Sequence, residues 1–326
     1  MAEETQSKLS FFSKTPTICP VCGAEVYREE LRSGGGRLIA GELTQELRRK
    51  YEPSKKYGPV YPLIYPVMVC SACYYAAFPK DFPEAPPEAV ERLKGTTEQR
   101  EQTIGYIFDD LAFNEPRTLK EGIASYYFAM MCYDFFPVEF SPTIKRGLCA
   151  LRAAWLSYDM HRAFPGDNYD YLGNIFYRKA RFYYTLAVEY EQNGKEGMGT
   201  TGNLGPDVDK NYGYDGVLFL AAYLEYAHGP AEDTEQRKKA LENAKRTVAR
   251  IFGMGRASKN KPTVILENAK ELHHKIGEKL ESLADGEEKK YPPRSCVRRD
   301  GFCGGAGAAG PAYGTGSRAG GFKPHA

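Results

Sequence analysis

Two hydrophobic rhythms divide the chain. Up to about residue 83 the apolar positions come in short clusters broken by Gly and Pro. Within them Leu63-Ile-Tyr-Pro-Val-Met-Val69 reads as a β-strand, and Pro66 places it at a sheet edge because proline donates no ladder hydrogen bond. Pro83-Glu-Ala-Pro-Pro87 punctuates the change, and beyond it the period becomes 3.6. Ile123, Tyr126, Met130 and Tyr133 form one stripe, and Ile144, Leu148, Leu151, Trp155 and Tyr158 a second. Phe176, Ala180, Tyr183, Ala187 and Tyr190 form a third, and Val217, Ala221 and Leu224 a fourth. Leu241, Ala244, Val248 and Ile251 make the fifth, and Ile265, Ala269, Leu272, Ile276 and Leu280 the sixth. Amphipathic helices in succession predict an α-helical bundle or solenoid, with each stripe packed in its core.

Composition adds the ends and the compartment. The first 18 residues read as a flexible leader, and residues 84–115 as a helical connector ahead of the body at 116–285. The tail, 286–326, is Gly-rich and poor in aliphatic residues, so it buries too little surface to offset its ordering entropy and is expected to be disordered. Across 326 residues the formal net charge is +2, so no global field recruits nucleic acid or an acidic membrane. Met1-Ala-Glu-Glu has neither the basic nor the apolar region of a signal peptide. The apolar run Val217–Leu224 is far short of the ~18–20 residues of a bilayer span. No transmembrane segment and a cytoplasmic location are therefore expected, and thiols in that compartment stay reduced.

Reduced cysteines in pairs read as metal ligands. Cys19-Pro-Val-Cys22-Gly23 has the form of a knuckle: two thiolates from one turn reach one metal, and Gly23 permits the backbone that aims amide N–H groups at sulfur. Cys70-Ser-Ala-Cys73 supplies a second pair after 47 intervening residues. Together Cys19, Cys22, Cys70 and Cys73 make a tetrahedral set for a structural Zn2+ ion, with no position open to substrate. Cys132 and Cys149 fall in helical stripes and read as core thiols, while Cys296 and Cys303 lie in the tail.

Several segments around these cysteines carry a resemblance. Cys19-Pro-Val-Cys22-Gly23, Arg32-Ser33, Arg37-Leu38, Tyr61-Pro62-Leu63-Ile64-Tyr65 and Val69-Cys70-Ser71-Ala72-Cys73-Tyr74-Tyr75-Ala76-Ala77 resemble a bacterial family of unknown function, DUF2225. The resemblance lies mainly in residues 17–82 and extends more loosely through the helices to about 285. It implies a four-cysteine zinc head followed by helices similar to tetratricopeptide repeats, and it implies no activity. The chain departs from the family pattern at Ser71, where Pro is usual, and at Tyr74, where Gly usually completes the second knuckle. Leu151-Arg-Ala-Ala-Trp155-Leu-Ser-Tyr158 is similar to the first helix of such a repeat, and Ala180, Tyr184 and Ala187 have the spacing of the second. Ala180 and Ala244 are 64 residues apart, not one 34-residue period, so a generic helical bundle stays open as the alternative. The fold expected is α+β: a zinc-ribbon-like domain over 19–83, then an all-α, tetratricopeptide-like body of helical hairpins.

Other signals carry less. Gly197-Met-Gly199-Thr-Thr-Gly202 has the spacing of a phosphate loop but follows a helix rather than a strand, and reads as a flexible loop. Asp207, Asp209, Asn211 and Asp215 offer clustered oxygens to a hard cation, yet Tyr212 and Leu218 occupy the Gly and Glu positions of the calcium template. Arg246, Arg250, Arg256, Lys259 and Lys261 are candidate phosphate contacts in a stretch with no acid, or else a solvated helix end. The five histidines show no nucleophile or metal-ligand motif beside them.

These features predict an adaptor or scaffold that binds protein partners through a Tyr-rich helical face. Its candidate residues are Trp155, Tyr158, Tyr183, Tyr184, Tyr190, Tyr223 and Tyr226. Nucleic-acid binding by the zinc head through basic loops is the second possibility, and an enzyme needing a polar pocket between head and body is the third.

Overall fold

In a computed structural model that describes residues 9–252 and 261–284, eight short strands precede eight α-helices among the described residues. The strands pair antiparallel in twos: β1 (Ser10–Phe12) with β4 (Glu29–Leu31), β2 (Thr17–Ile18) with β3 (Glu25–Val26), β5 (Ile39–Leu43) with β6 (Arg49–Glu52), and β7 (Met68–Val69) with β8 (Ala76–Ala77). The helices are α1 (Pro87–Gly95), α2 (Thr97–Gly105), α3 (Leu119–Tyr133), α4 (Pro142–Ala163), α5 (Tyr169–Asn193), α6 (Gly213–His228), α7 (Thr234–Phe252) and α8 (Thr263–Ala284). From α3 onward each packs on the next in chain order.

Every 3.6-period stripe becomes a helix with its stripe turned inward. The small residues Ala180, Ala187, Ala221, Ala244 and Ala269 are all buried, which lets neighbouring helices approach closely. The strand expected over 63–69 is cut to Met68–Val69, because Pro62 starts a 3-10 turn at Pro62–Ile64 and Pro66 cannot donate. Part of the segment read as a flexible leader is ordered: Leu9 is buried, and β1 hydrogen-bonds along β4. The Gly-rich tail, with Cys296 and Cys303, and residues Arg256 and Lys259 lie outside the described residues.

The core is continuous from the cysteines to the last helix. One cluster of buried side chains runs from Cys19 and Val21 through Tyr75 and Phe82 to Ile276 and Leu283. Helix α3 starts with a capping box, Thr118 with Glu121, and lies tight on the Pro62–Ile64 turn. A Cβ on Gly122 would stand 2.6 Å from Ile64 Cγ2. Buried Arg117 closes this corner, its guanidinium donating to the carbonyls of Ile64 (3.0 Å) and Val67 (2.7 Å). Its amide donates to Glu29 (3.0 Å), a buried carboxyl whose pKa burial pushes up. Tyr126 donates to the Leu63 carbonyl at 2.7 Å, and Tyr133 and Lys145 both donate to buried Asp81 at 2.6 Å. These bonds satisfy polar groups that would otherwise be costly to bury.

Candidate metal centre

The two Cys-x-x-Cys segments are the turns of two matching hairpins. In the first, Ile18 pairs with Glu25, Cys19 N donates to the Ala24 carbonyl (2.9 Å) and Gly23 N donates back to the Cys19 carbonyl (2.9 Å). In the second, Val69 pairs with Ala76, Cys70 N donates to the Tyr75 carbonyl (2.9 Å) and Tyr74 N donates to the Cys70 carbonyl (2.9 Å). Gly23 has φ +79° and Tyr74 φ +53°, so the residue after each second cysteine is left-handed in both turns. Tyr74 therefore keeps the knuckle geometry without glycine. Its ring stacks on Phe128 at 4.9 Å and meets Phe113 edge-on at 6.3 Å.

This pairing brings four sulfurs together. Cys22 Sγ lies 3.5 Å from Cys70 Sγ, Cys19 Sγ lies 3.7 Å from Cys73 Sγ, and all four sit within 4.8 Å of one another. A tetrahedral ion with metal–sulfur bonds of about 2.3 Å needs sulfur–sulfur edges of about 3.8 Å, so the four sulfurs are spaced to hold one metal ion. Among the described residues this is the group of His, Cys, Asp or Glu side chains close enough to share one. Hydrogen bonds from Cys19 and Cys73 hold the Cys70 thiol low, while the same contacts push Cys19 and Cys73 up. Crowded sulfurs of this kind share protons, and a divalent cation would take the place of those protons.

Arg100 of α2 supports the second knuckle. Only 1% exposed, its guanidinium donates to the Cys73 carbonyl at 2.9 and 3.2 Å and to Thr96 and Thr97. Cys132 Sγ accepts from Ala76 N at 3.4 Å, and both it and Cys149 are buried in the core as expected. Nothing in local spacing marks Arg100, which is 27 residues from its acceptor.

The segment between the knuckles reaches the helical body. At the tip of the β5–β6 hairpin, Glu46 accepts hydrogen bonds from Trp155 Nε1 and from Tyr177 Oη (2.8 Å). Arg48 forms an ion pair with Asp159, Arg49 pairs with Asp209 at 3.0 Å, and Arg49 N donates to buried Asp207 at 2.8 Å. The hairpin thus occupies ground that the stripes alone leave to solvent. Trp155 and Tyr184 lie in the core, while Tyr158, Tyr183, Tyr190, Tyr223 and Tyr226 are half-buried. Tyr223 and Tyr226 line a shallow groove with Gln45 and α8. Tyr183 packs against Arg146 (4.5 Å) and Tyr190 against Lys195 (4.1 Å), on other parts of the fold.

The weaker candidates find ordinary partners. Asp207 and Asp209 serve Arg49, Asn211 accepts from Gly213 N (2.8 Å), and Asp215 accepts from Lys261 (2.8 Å). Lys261 also donates to the Ile251 carbonyl at 2.9 Å, while Arg246 and Arg250 are exposed on α7. The Gly197–Gly202 segment is held at the start of α4, where Ser141 donates to the Gly197 carbonyl at 2.5 Å. Sequence reading missed a cleft of about 880 Å³ lined by Tyr57, Tyr61, Tyr65, Met160 and Phe164. It also missed the exposure of Phe164 (50%), Tyr106 (90%) and Tyr171 (68%).

Fold and site together define an α+β protein in which a four-cysteine cluster is built into a helical array. The family model described as "Uncharacterized protein conserved in bacteria (DUF2225)" matches residues 12–276, and the chain belongs to this family. It is 43% identical over 277 residues to an uncharacterized protein of Borreliella burgdorferi, covering 85% of this chain and 99% of that relative. No solved structure matches it. Among the described residues no helix is long and apolar enough to cross a membrane.

Proposed function

We propose that this chain is a zinc-containing binding protein, with a structural ion at Cys19, Cys22, Cys70 and Cys73 and a protein partner on its aromatic surface. The observation that carries this reading is the closed set of four sulfurs, all within 4.8 Å. Four protein ligands fill a tetrahedral ion and leave no coordination site for a reacting molecule. The polar walls of the large cleft support a binding role as well. Glu121 accepts from Thr118, Lys120 donates to the Asp109 carbonyl, and Arg117 donates to two carbonyls. Half-buried Tyr61 and exposed Phe164 offer aromatic contact area beside the charged groups of Lys55 and Asp110, in a volume typical of binding clefts.

The partner face is accordingly the edge of this cleft, where Phe164 is exposed and Tyr61 half-buried, while Tyr57 and Tyr65 are themselves buried. Rigid aromatic side chains of this kind supply contact area at low entropy cost. Exposed Lys239, Arg246 and Arg250 on α7 favour a second reading, phosphate binding. The zinc reading is tested by metal analysis after reducing purification, with about one zinc per chain expected and a folded metal-free protein against it. The partner reading is tested by co-purification with wild type and with Phe164→Ala. Loss of the captured protein in the variant is expected, and capture unchanged by it sinks the assignment of the face. Binding to nucleic acid that weakens steeply with salt would instead favour α7.

A further inference from the structure

The four sulfurs differ in their access to solvent. Cys19, Cys70 and Cys73 are 1%, 0% and 3% exposed, whereas Cys22, at the tip of the first knuckle, is exposed. Cys132 and Cys149 are both fully buried, and burial pushes their thiols up. Among the described cysteines Cys22 is therefore the residue open to a dissolved oxidant. Its nearest resolving partner is already in place, since Cys70 Sγ stands 3.5 Å away on the opposite knuckle. A cysteine that holds zinc does so as a thiolate, and an exposed one beside a second sulfur is the arrangement in which oxidation is reversible.

We propose that Cys22 is a peroxide-reactive site through which oxidation expels the metal; this rests on the zinc reading above. The Cys22 thiolate attacks one oxygen of a hydroperoxide, an S–O bond forms, the O–O bond breaks, and hydroxide leaves to be protonated. Sulfur is oxidised by two electrons and the peroxide reduced by two. The resulting sulfenic acid is no longer an anionic donor, so Cys22 would cease to serve as a ligand to a bound ion. The Cys70 thiolate then attacks the Cys22 sulfur, an S–S bond forms, the S–O bond breaks, and a second hydroxide leaves. Two thiolates, one hydrogen peroxide and two protons give one disulfide and two waters. The sulfurs close from 3.5 Å to the disulfide length of about 2.05 Å. Cys19 and Cys73 are left as two ligands, too few for a tetrahedral ion. The disulfide keeps the knuckles joined after the metal has gone, so a thiol reductant and zinc restore the starting state.

The test uses the full chain with Cys296→Ser and Cys303→Ser, zinc-loaded, titrated with hydrogen peroxide. A chromogenic chelator reports free zinc, and differential alkylation with peptide mass mapping reports each thiol. One zinc is expected to leave per chain, in step with a Cys22–Cys70 cross-linked peptide, and dithiothreitol with zinc should reverse both. Modification of Cys19 or Cys73 ahead of Cys22, or a Cys19–Cys22 cross-link as first product, overturns the inference. Retention of zinc at a peroxide dose that fully oxidises glutathione in a parallel vessel overturns it too, and leaves the zinc reading standing. A folded chain that holds no zinc before peroxide is added overturns that reading first.

Discussion

Tyr74 holds a left-handed backbone, φ +53°, at the position that glycine fills in the first knuckle. For an L-residue that conformation costs about 1–2 kcal/mol. Its stack on Phe128 and edge contact with Phe113 offset the cost, since aromatic pairs are worth about 0.5–1.5 kcal/mol beyond their buried area. Two truncations separate these terms. Tyr74→Ala loses the ring contacts and keeps the strain, while Tyr74→Gly loses the contacts and relieves it. The glycine variant is expected to be the more stable of the two by about 1 kcal/mol. Denaturant unfolding of both metal-loaded proteins gives the difference, and an alanine variant of equal or greater stability would show that the left-handed turn is not strained.

At the scale of elements, the helices were legible because a 3.6-residue period is a local property, and the apolar stripes fix which face turns inward. Ile144 to Trp155 and Leu241 to Ile251 become buried faces of α4 and α7 on that ground alone. The cysteine pairs were legible for the same reason, each pair coming from one turn. The β5–β6 hairpin was not, because its contacts are long-range: Glu46 is 109 residues from Trp155 and 131 from Tyr177. A solvent-facing Glu and a docking Glu look alike in a window of ten residues. Burial raises the Glu46 pKa, against hydrogen bonds from Tyr177 and Trp155 and the charge of Arg48, which lower it. With its folded value above the unfolded one, the group favours folding below about pH 4.5, and this contribution is lost as pH rises through the folded value. Glu46→Gln keeps an acceptor for both donors and removes the buried charge. Its stability relative to wild type should therefore improve from pH 5 to pH 7. Glu46→Ala leaves Trp155 Nε1 and Tyr177 Oη without their acceptor and should cost about 1–3 kcal/mol at either pH. Denaturant midpoints for the three proteins at both pH values check this, and a Gln variant that loses ground with rising pH would show that Glu46 is ionised at no cost.

On the scale of the whole molecule, the boundary near Pro83–Pro87 marks a change of element type across a shared core. Tyr126 of α3 bonds the Leu63 carbonyl, Tyr133 of α3 accepts from Phe78 N (2.9 Å), and Arg100 of α2 bonds the Cys73 carbonyl. Cysteine turns, inter-knuckle segment and helices thus hold one another through buried polar bonds as well as apolar contact. A metal at the four sulfurs would then stabilise the helices it never touches, because its binding free energy enters one cooperative unit. Metal removal by a strong chelator under reducing conditions, or Cys70→Ser, is expected to lower the melting temperature of the helical signal by roughly 5 °C or more. Far-ultraviolet dichroism, which follows the helices, and near-ultraviolet dichroism of the tyrosines around the knuckles should change at the same temperature. The opposing outcome is specific: if the tyrosine signal is lost first while the helical transition stays where it was, residues 19–83 fold on a core of their own. The hydrogen bonds from α2 and α3 would then be contacts between two independent units, and the metal would govern the first of them alone.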